Sequence, residues 1–426
     1  MPTRAIHNAG TATKRRARTP RRRRDPIGYR ESRHENLPHV VKFSGGRSSG
    51  MLLFELLEQG LLDRSRGDVV VFNNTSAEHP ETYCFVEACR SRAQPYGIPF
   101  FATEFQTYED IHRGHWTRLP AYRLVNGMPR SAGNPDGFHW RGEAYEELLS
   151  WSGYVPNQFR RTCTSRLKLE PTRRFIRDWL AGRPGIERLG HHQPVPQIDP
   201  QARFRIHRKH NGKMPEAVFL RRHAYCWSRP HVRPQQHYRD LCPEWRPFSN
   251  RRADNGEYVT LIGLRGDERR RVDRVRARGG HDTEHDGEHV YMPLDRMGIG
   301  RDDVNAFWSH RDWDLNLPAD AGLSNCVYCF LKGGENLQAV HRRMKHDAGA
   351  EWPGFGPLAG TPCDLGWWIR METEYVRDLA AENCQVRSDV ERIGFFGARK
   401  ASYADLEQNR LTGAPLRMPP RCDCTE

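Results

Sequence analysis

Residues 44 to 49 read Ser44-Gly45-Gly46-Arg47-Ser48-Ser49. Adjacent glycines let backbone N–H groups approach an anion without side-chain interference, while the serine hydroxyls and the Arg47 guanidinium add donors and charge. If a helix follows, its unsatisfied first-turn N–H groups and partial positive end complete a cradle for phosphate or pyrophosphate. The spacing is not the G-x-x-x-x-G-K-[ST] of a Walker loop. The plain alternative is a serine–glycine turn that caps an ordinary helix. A second group, Cys326-x-x-Cys329, puts two thiols on one turn where they can grip a metal ion. Thiolates select zinc or iron–sulfur, and inert buried thiols are the alternative.

These residues need elements to position them. His39–Phe43 is an apolar, β-branched run, and Met51–Gln59 has helical apolar spacing, so the loop lies between strand and helix. The pattern repeats: a strand over Asp68–Asn73, a polar loop over Asn74–His79, then a helix opened by Pro80 and running through Glu81–Gln94. Pro99–Thr103 reads as a third strand, Ser165–Ala181 as a helix, Tyr258–Gly263 as a strand and Arg301–Arg311 as a helix. Glu335–Lys345 and Trp367–Ala381 read as further helices. Strands alternating with helices predict an α/β fold, a doubly wound and mostly parallel sheet with its ligand crevice at the strand ends. The expected organisation is a disordered basic tail over 1–36, a core domain over 37–332, and a helical C-terminal extension over 333–426. Insertions are expected at about 104–160, which is irregular and punctuated by glycine and proline, and at about 190–257.

Six segments, in order, resemble one family. Phe43-Ser44-Gly45-Gly46-Arg47-Ser48-Ser49 is similar to the PP-loop of the adenine-nucleotide alpha-hydrolase superfamily, in its PAPS-reductase-like (phosphoadenosine phosphosulfate reductase domain) branch. Asn74-Thr75-Ser76-Ala77-Glu78-His79-Pro80-Glu81-Thr82 resembles the branch's "NTG…PET" segment, and Arg161–Pro171, with Cys163 and Lys168, its "C-T/C…K…P" segment. Ile262-Gly263-Leu264-Arg265-Gly266-Asp267-Glu268-Arg269-Arg270 resembles "GIR-x-[DE]-E-x-x-R". Tyr291-Met292-Pro293-Leu294 and Cys326-Val327-Tyr328-Cys329 resemble the late "PL" strand and the closing "C-x-x-C".

The resemblance implies an adenine nucleotide, ATP or a PAPS-like compound, with its phosphates on Ser44–Ser49 and with Asn74, Thr75 and Arg269 beside it. Lys168 and Arg265 would stabilise charge developing in flight, supported by Arg269 or Arg270. Cys163 falls at a cluster-ligand position, so Cys163, Cys326 and Cys329 would hold a [4Fe–4S] cluster as in similar iron–sulfur sulfurtransferases, with zinc as the alternative. Cys226, Cys242, Cys422 and Cys424 are candidates for a fourth ligand. The chain departs from the pattern twice. Ser48 stands where many members carry Asp, which bears on how magnesium would be held, and no Glu-Cys-Gly closes the chain. The implied activity is nucleotide-dependent sulfur transfer. The alternatives are a sulfonucleotide reductase and a non-catalytic nucleic-acid-binding protein that keeps a nucleotide-binding core.

Composition bounds these readings. A chain of 426 residues, 37% hydrophobic and 28% charged, can build a large core, and its longest apolar stretch, Met51–Leu62, is interrupted by Glu55, Glu58 and Gln59. No membrane is expected as partner, and the basic N-terminus lacks a signal peptide's apolar segment, so the expected compartment is the cytoplasm. Eleven cysteines in such a chain are expected to be reduced, Cys84 and Cys89 as filler and Cys363 and Cys384 as structural. The net charge of +14 is concentrated: residues 1–36 hold eleven Lys/Arg against three Asp/Glu, and residues 190–257 hold thirteen against six. Both segments would attract nucleic acid through counterion release. The histidines, including His191-His192 and the cluster from His281 to His289, show no metal-binding spacing and read as solvated loop residues.

Overall fold

The computed structural model describes residues 25–112, 115–180, 199–211, 214–228, 256–277, 281–282, 285–319, 321–347, 351–379, 392–398, 401–408 and 410–411. The run His39-Val40-Val41-Lys42-Phe43 forms β1 (His39–Phe43). Side chains alternate across a strand, so Val41 and Phe43 join one hydrophobic layer and Val40 the other. β2 (Val69–Asn74), β3 (Phe100–His112), β4 (His115–Val125), β5 (Tyr258–Ile262), β6 (His281–Asp282) and β7 (His285–Tyr291) complete a seven-stranded sheet in the order β4-β3-β2-β1-β5-β7-β6. The five central strands are parallel, and the outer β4 and β6 run antiparallel to their neighbours. One face packs on α1 (Arg47–Glu58) and α2 (Pro80–Ala93), through Leu52, Leu53, Phe85 and Val86. The other face places Val40, Val69, Val71 and Phe101 against Phe175, Ile176 and Trp179 of the helix Glu170–Leu180. Cover on both faces is what lets a parallel sheet be valine-rich throughout. The mixed α/β architecture expected from the alternating pattern is present, with a mostly parallel sheet flanked by helices.

Chain order departs from β1 in two directions, to β2 and β3 on one side and to β5 and β7 on the other. The reversal lies between β1 and β5, paired in the register His39↔Val259 to Lys42↔Ile262. Open α/β sheets hold ligands in the crevice beyond the strand ends at such a point. The glycine loop follows β1 and Gly263–Arg265 follows β5, so topology alone brings these two candidate segments together.

Three expectations are corrected, and the content of the 190–257 insertion is made specific. Residues 25–36 are not a disordered tail. Ile27 and His34 are buried, His34 Nδ1 lies 2.6 Å from the Tyr291 hydroxyl, and Arg33 pairs with Glu257 at 2.9 Å. The rest of that tail, residues 1–24, lies outside the described residues. Residues 104–160 are not irregular: β3 and β4 form one long antiparallel hairpin, and α3 (Glu143–Ser152) follows. The insertion over 190–257 contains two helices, α5 (Pro200–Asn211) and α6 (Glu216–Ser228), α4 being Glu170–Leu180; they pack through Phe204 and Phe219 on Trp116 of β4. The histidines from 281 onward lie on β6 and β7, and His289 is buried, its ring stacked 4.0 Å from that of His34. His191 and His192 lie outside the described residues.

Where described, the C-terminal segment combines helices with two small two-stranded sheets, Glu351–Trp352 with Gly356–Pro357 and Arg377–Asp378 with Arg392–Ile393. After α7 (Arg269–Ala277) and α8 (Arg301–Ser309) come α9 (Gly334–Asp347), α10 (Leu365–Tyr375) and α11 (Tyr403–Glu407). Trp367, Trp368, Phe395 and Tyr403 belong to the main core, so this is part of the same hydrophobic body. Glu372 of α10 accepts hydrogen bonds from the Phe395 and Tyr403 amides at 3.2 and 2.7 Å, clamping the last described segments. Burial pushes its carboxyl from 4.5 up to about 7, against the lowering effect of those two amides. A carboxyl raised in the folded state disfavours folding once ionised, so its contribution falls as pH rises from 4.5 through 7 and stays low above. Glu372→Gln removes this pH dependence: its carboxamide NH2 meets one of the two donating amides and costs stability at every pH, but relative to the wild type the variant should gain roughly 2–3 kcal/mol between pH 4 and pH 8, read from urea melts at both values. Among the described residues no helix is long and apolar enough to cross a membrane.

Candidate functional site

The loop takes its shape from its own residues. Gly45 has φ +75°, and a Cβ there would sit 2.8 Å from Thr82 Cγ2 on α2, so the position requires glycine twice over. Gly46 is the N-cap of α1 in extended conformation, and no side chain caps the helix. A Cβ on Gly46 would meet only Ser44 Oγ, at 3.6 Å. Ser49 Oγ donates to the Gly46 carbonyl at 2.9 Å and accepts from the Ser44 amide at 3.1 Å, with Ser44 Oγ 3.0 Å away. Ser44 and Ser49 thus brace the turn, and a twelve-residue helix starts from it with no side-chain cap on its first-turn amides.

Arg265 reaches this loop. Its Nη1 donates to Ser48 Oγ at 2.8 Å, while Asp267 holds its Nε at 2.8 Å and Glu268 accepts from its amide at 3.0 Å. The approach is close because residue 263 is glycine: a Cβ there would lie 3.0 Å from Ser49 Cα. Sequence reasoning selected Arg265 and Ser48 separately; their contact, and the roles of Gly263, Asp267 and Glu268, needed the fold. Arg269 is exposed on the first turn of α7.

Three nucleotide-site expectations are corrected. Arg47 does not turn its charge to the loop; its guanidinium bonds both oxygens of Asp314, at 2.8 and 2.9 Å, and the Leu315 carbonyl. Asn74 is fully buried, donating at 2.6 Å to both Glu104 Oε1 and the His139 carbonyl, and accepting from the Ser76 amide and the Tyr83 hydroxyl. Thr75 donates to Glu78 Oε1 at 2.7 Å, and its Oγ1 lies 3.4 Å from Cys326 Sγ. Both side chains are buried and engaged by these protein partners.

Thr75 joins the second candidate group. The Val327 amide donates to the Ala77 carbonyl at 3.0 Å, fastening the Cys326–Cys329 turn to the loop after β2, one strand over from the glycine loop. Lys332, 2% exposed, donates from Nζ to the carbonyls of Cys326 and Val327 at 2.8 and 2.6 Å, a buried cation beneath the turn that no motif announced. Cys163, half-buried, sits on the helical turn Thr162–Thr164 that opens the π-helical stretch Ser165–Leu169, which carries Lys168 and packs on β2 and β3. π-helical segments recur at functional sites. Burial pushes the hydroxyls of Tyr145 and Tyr403 well up; charge on Cys163, Cys326 and Cys329 adds to this at both, and Glu372 adds at Tyr403. Cys363 is pushed up to about 12 by burial, which keeps it a structural thiol as expected. Cys226 donates to Ser150 Oγ at 3.1 Å, and Cys242, Cys384, Cys422 and Cys424 lie outside the described residues. Among the described residues no group of three or more His, Cys, Asp or Glu side chains is placed to hold a metal ion.

Behind both groups lies a buried charge network. Glu104, inaccessible to solvent, accepts from the His139 amide at 2.6 Å, lies 2.7 Å from His139 Nδ1, and pairs with Arg123 at 3.1 Å. Burial would raise its carboxyl, but the charges of His139 and Arg123 outweigh burial and hold it at about 2. Comparisons of the chain with protein-family models, curated proteins and solved structures return no match.

Proposed function

We propose that this chain is a nucleotide-dependent sulfur-transfer enzyme that binds ATP or a PAPS-like adenine nucleotide on the Ser44–Ser49 loop and works with the thiols Cys163, Cys326 and Cys329. The observation that carries the reading is the arginine at the loop: Arg265 donates to Ser48 at 2.8 Å where the sheet order reverses, beside an uncapped helix start. Backbone amides, a helix N-terminus and a fixed guanidinium are together the groups that hold an oligophosphate. The ordered resemblance to the PP-loop superfamily's PAPS-reductase-like branch supplies the adenine nucleotide and the sulfur chemistry.

In the ATP form of the reaction, an acceptor oxygen attacks the α-phosphorus, the bond to pyrophosphate breaks, and sulfur then displaces AMP from the activated acceptor. Negative charge grows on the departing pyrophosphate, where the loop amides and Arg265 receive it; Lys168 is the second cation assigned to this duty. Glu268 and Asp267 keep Arg265 oriented. The resemblance assigns Cys163, Cys326 and Cys329 to an iron–sulfur cluster, although among the described residues no three such side chains are placed to hold a metal ion. Such a cluster would supply sulfide or electrons, and Lys332 fixes the turn that carries two of the thiols through the Cys326 and Val327 carbonyls.

Anaerobic purification with iron and sulfide analysis, alongside turnover of ATP and of PAPS, tests the reading. Expected are stoichiometric iron and sulfide, lost in Cys326→Ser, and pyrophosphate release from ATP. Sulfite release from PAPS with a thiol reductant would move the assignment to a sulfonucleotide reductase; turnover of neither nucleotide would overturn it.

A further inference from the structure

Away from the glycine loop, the turn Asn157-Gln158-Phe159-Arg160 is rigidly built. Asn157 and Arg160 exchange backbone hydrogen bonds, each at 3.1 Å, and Asn157 Oδ1 accepts from the Phe159 and Arg160 amides, both at 3.0 Å. What it presents is Phe159, 80% exposed, the most exposed large apolar side chain among the described residues. The Cδ2–Cε2 edge of the ring rests beside Gly397, where a Cβ would come within 3.3 Å of it. A large apolar ring held in water on a braced turn gains nothing for folding, and points to a partner with a flat apolar face.

Beside it a cavity of 530 Å³ opens between the end of α3, the insertion helices α5 and α6, and the segment after α10. Arg160, Arg221, Arg222, Arg377 and His207 line it, with Tyr154 beneath Arg160 at 4.6 Å from the ring centroid. Arg160 and Arg221 are exposed. One carboxylate, Glu374, reaches the lining, and it lies 3.4 Å from Arg370. The volume falls in the ~300–1,000 Å³ range of small-ligand pockets, and the lining is strongly cationic. An aromatic platform next to an arginine-lined hollow is the combination that holds bases by stacking and phosphates by charge. A duplex keeps its base faces stacked inside and would leave Phe159 without a partner. An acidic peptide would satisfy the arginines but not the ring.

We propose that the Phe159 turn and the adjoining cavity bind an unpaired nucleic-acid strand, one base stacked on Phe159 and neighbouring phosphates on Arg160 and Arg221. The proposal deepens the functional reading above by naming the class of acceptor, and it rests on that reading only for the chemistry, since Cys163 follows four residues after Phe159 in the same segment.

Anisotropy titrations of the full-length protein with a labelled single strand of ~12 nucleotides, an abasic strand of equal length, a duplex and heparin test it. Expected is preference for the base-bearing single strand. Phe159→Ala should weaken that binding by about 5- to 100-fold while leaving the abasic strand unaffected. Arg160→Gln with Arg221→Gln should lower the salt slope by roughly 0.7 for each phosphate no longer neutralised. Equal weakening on the abasic strand, preference for duplex or heparin, or no strand binding overturns the proposal. ATP calorimetry on the same samples separates the two readings. Strand binding of the expected pattern in a protein that takes up no ATP removes the loop assignment and keeps this one; the reverse removes this one alone.

Discussion

Gly46→Val is expected to abolish the proposed nucleotide binding and to leave the protein folded. The added side chain meets only Ser44 Oγ at 3.6 Å and the backbone there is extended, so the substitution costs the apo protein little. It does place a branched group over the first-turn amides that would grip the phosphates, so calorimetry with ATP and PAPS should show no heat while the melting midpoint stays near wild type. Gly45→Ala should do the reverse. At φ +75° and 2.8 Å from Thr82 Cγ2, it destabilises the fold by about 1–3 kcal/mol before any ligand is present. Arg265→Gln is the intermediate case, weakening binding by about 10- to 100-fold because a charge-assisted contact becomes a neutral one. Undiminished binding in Gly46→Val would remove the loop from the site, and the sulfur-transfer reading with it.

Glu104→Gln loses roughly 3–5 kcal/mol of stability, the largest effect expected from any single substitution here. It leaves Arg123, 4% exposed, with no full countercharge, and it disturbs Asn74 and His139 through the same carboxylate. Because the carboxyl is held at about 2 in the folded protein against an ordinary 4.5, its stabilisation is complete above 4.5 and disappears as pH falls through about 2. Urea midpoints taken between pH 7 and pH 3 should therefore fall in the wild type and change less in Glu104→Gln. A variant as stable as the wild type at pH 7 would mean that Arg123 finds other partners.

That network also explains which parts of the fold could be read beforehand. β1, β2 and β5 were legible because strands buried on both faces are dominated by apolar residues, as Val40, Val41 and Phe43 and then Val259, Leu261 and Ile262 show. The hairpin β3–β4 was not, because Glu104, Gln106, Glu109 and Asp110 give it the composition of a loop. Those charges become tolerable in a strand only when Arg123 meets Glu104 and Arg203 meets Glu109, at 3.1 and 2.9 Å. Partners nineteen and ninety-four positions away leave no local periodicity to read. The tail was misjudged likewise: residues 25–36 have no apolar repeat, and they are ordered by single contacts such as His34 with Tyr291.

Within the candidate site the division is similar. Glycines 45 and 46, Ser48, Arg265 and the Cys326–Cys329 pair could be named from residue type and spacing, because conformational freedom, charge and thiol chemistry are properties of single residues. Arg47, Asn74 and Thr75 bear the same functional groups, but Asp314, Glu104 and Glu78 already engage them. Lys332 and Phe159 carried no signal at all.

The chain's order of residues thus determined the alternation of strands and helices and the inventory of groups able to handle phosphate and sulfur. Only the tertiary structure decided which of those groups face a ligand and which face one another. The reason is that a side chain's chemistry is local, whereas its availability depends on partners that the sheet's reversal between β1 and β5 and the packing of distant loops bring within hydrogen-bonding range.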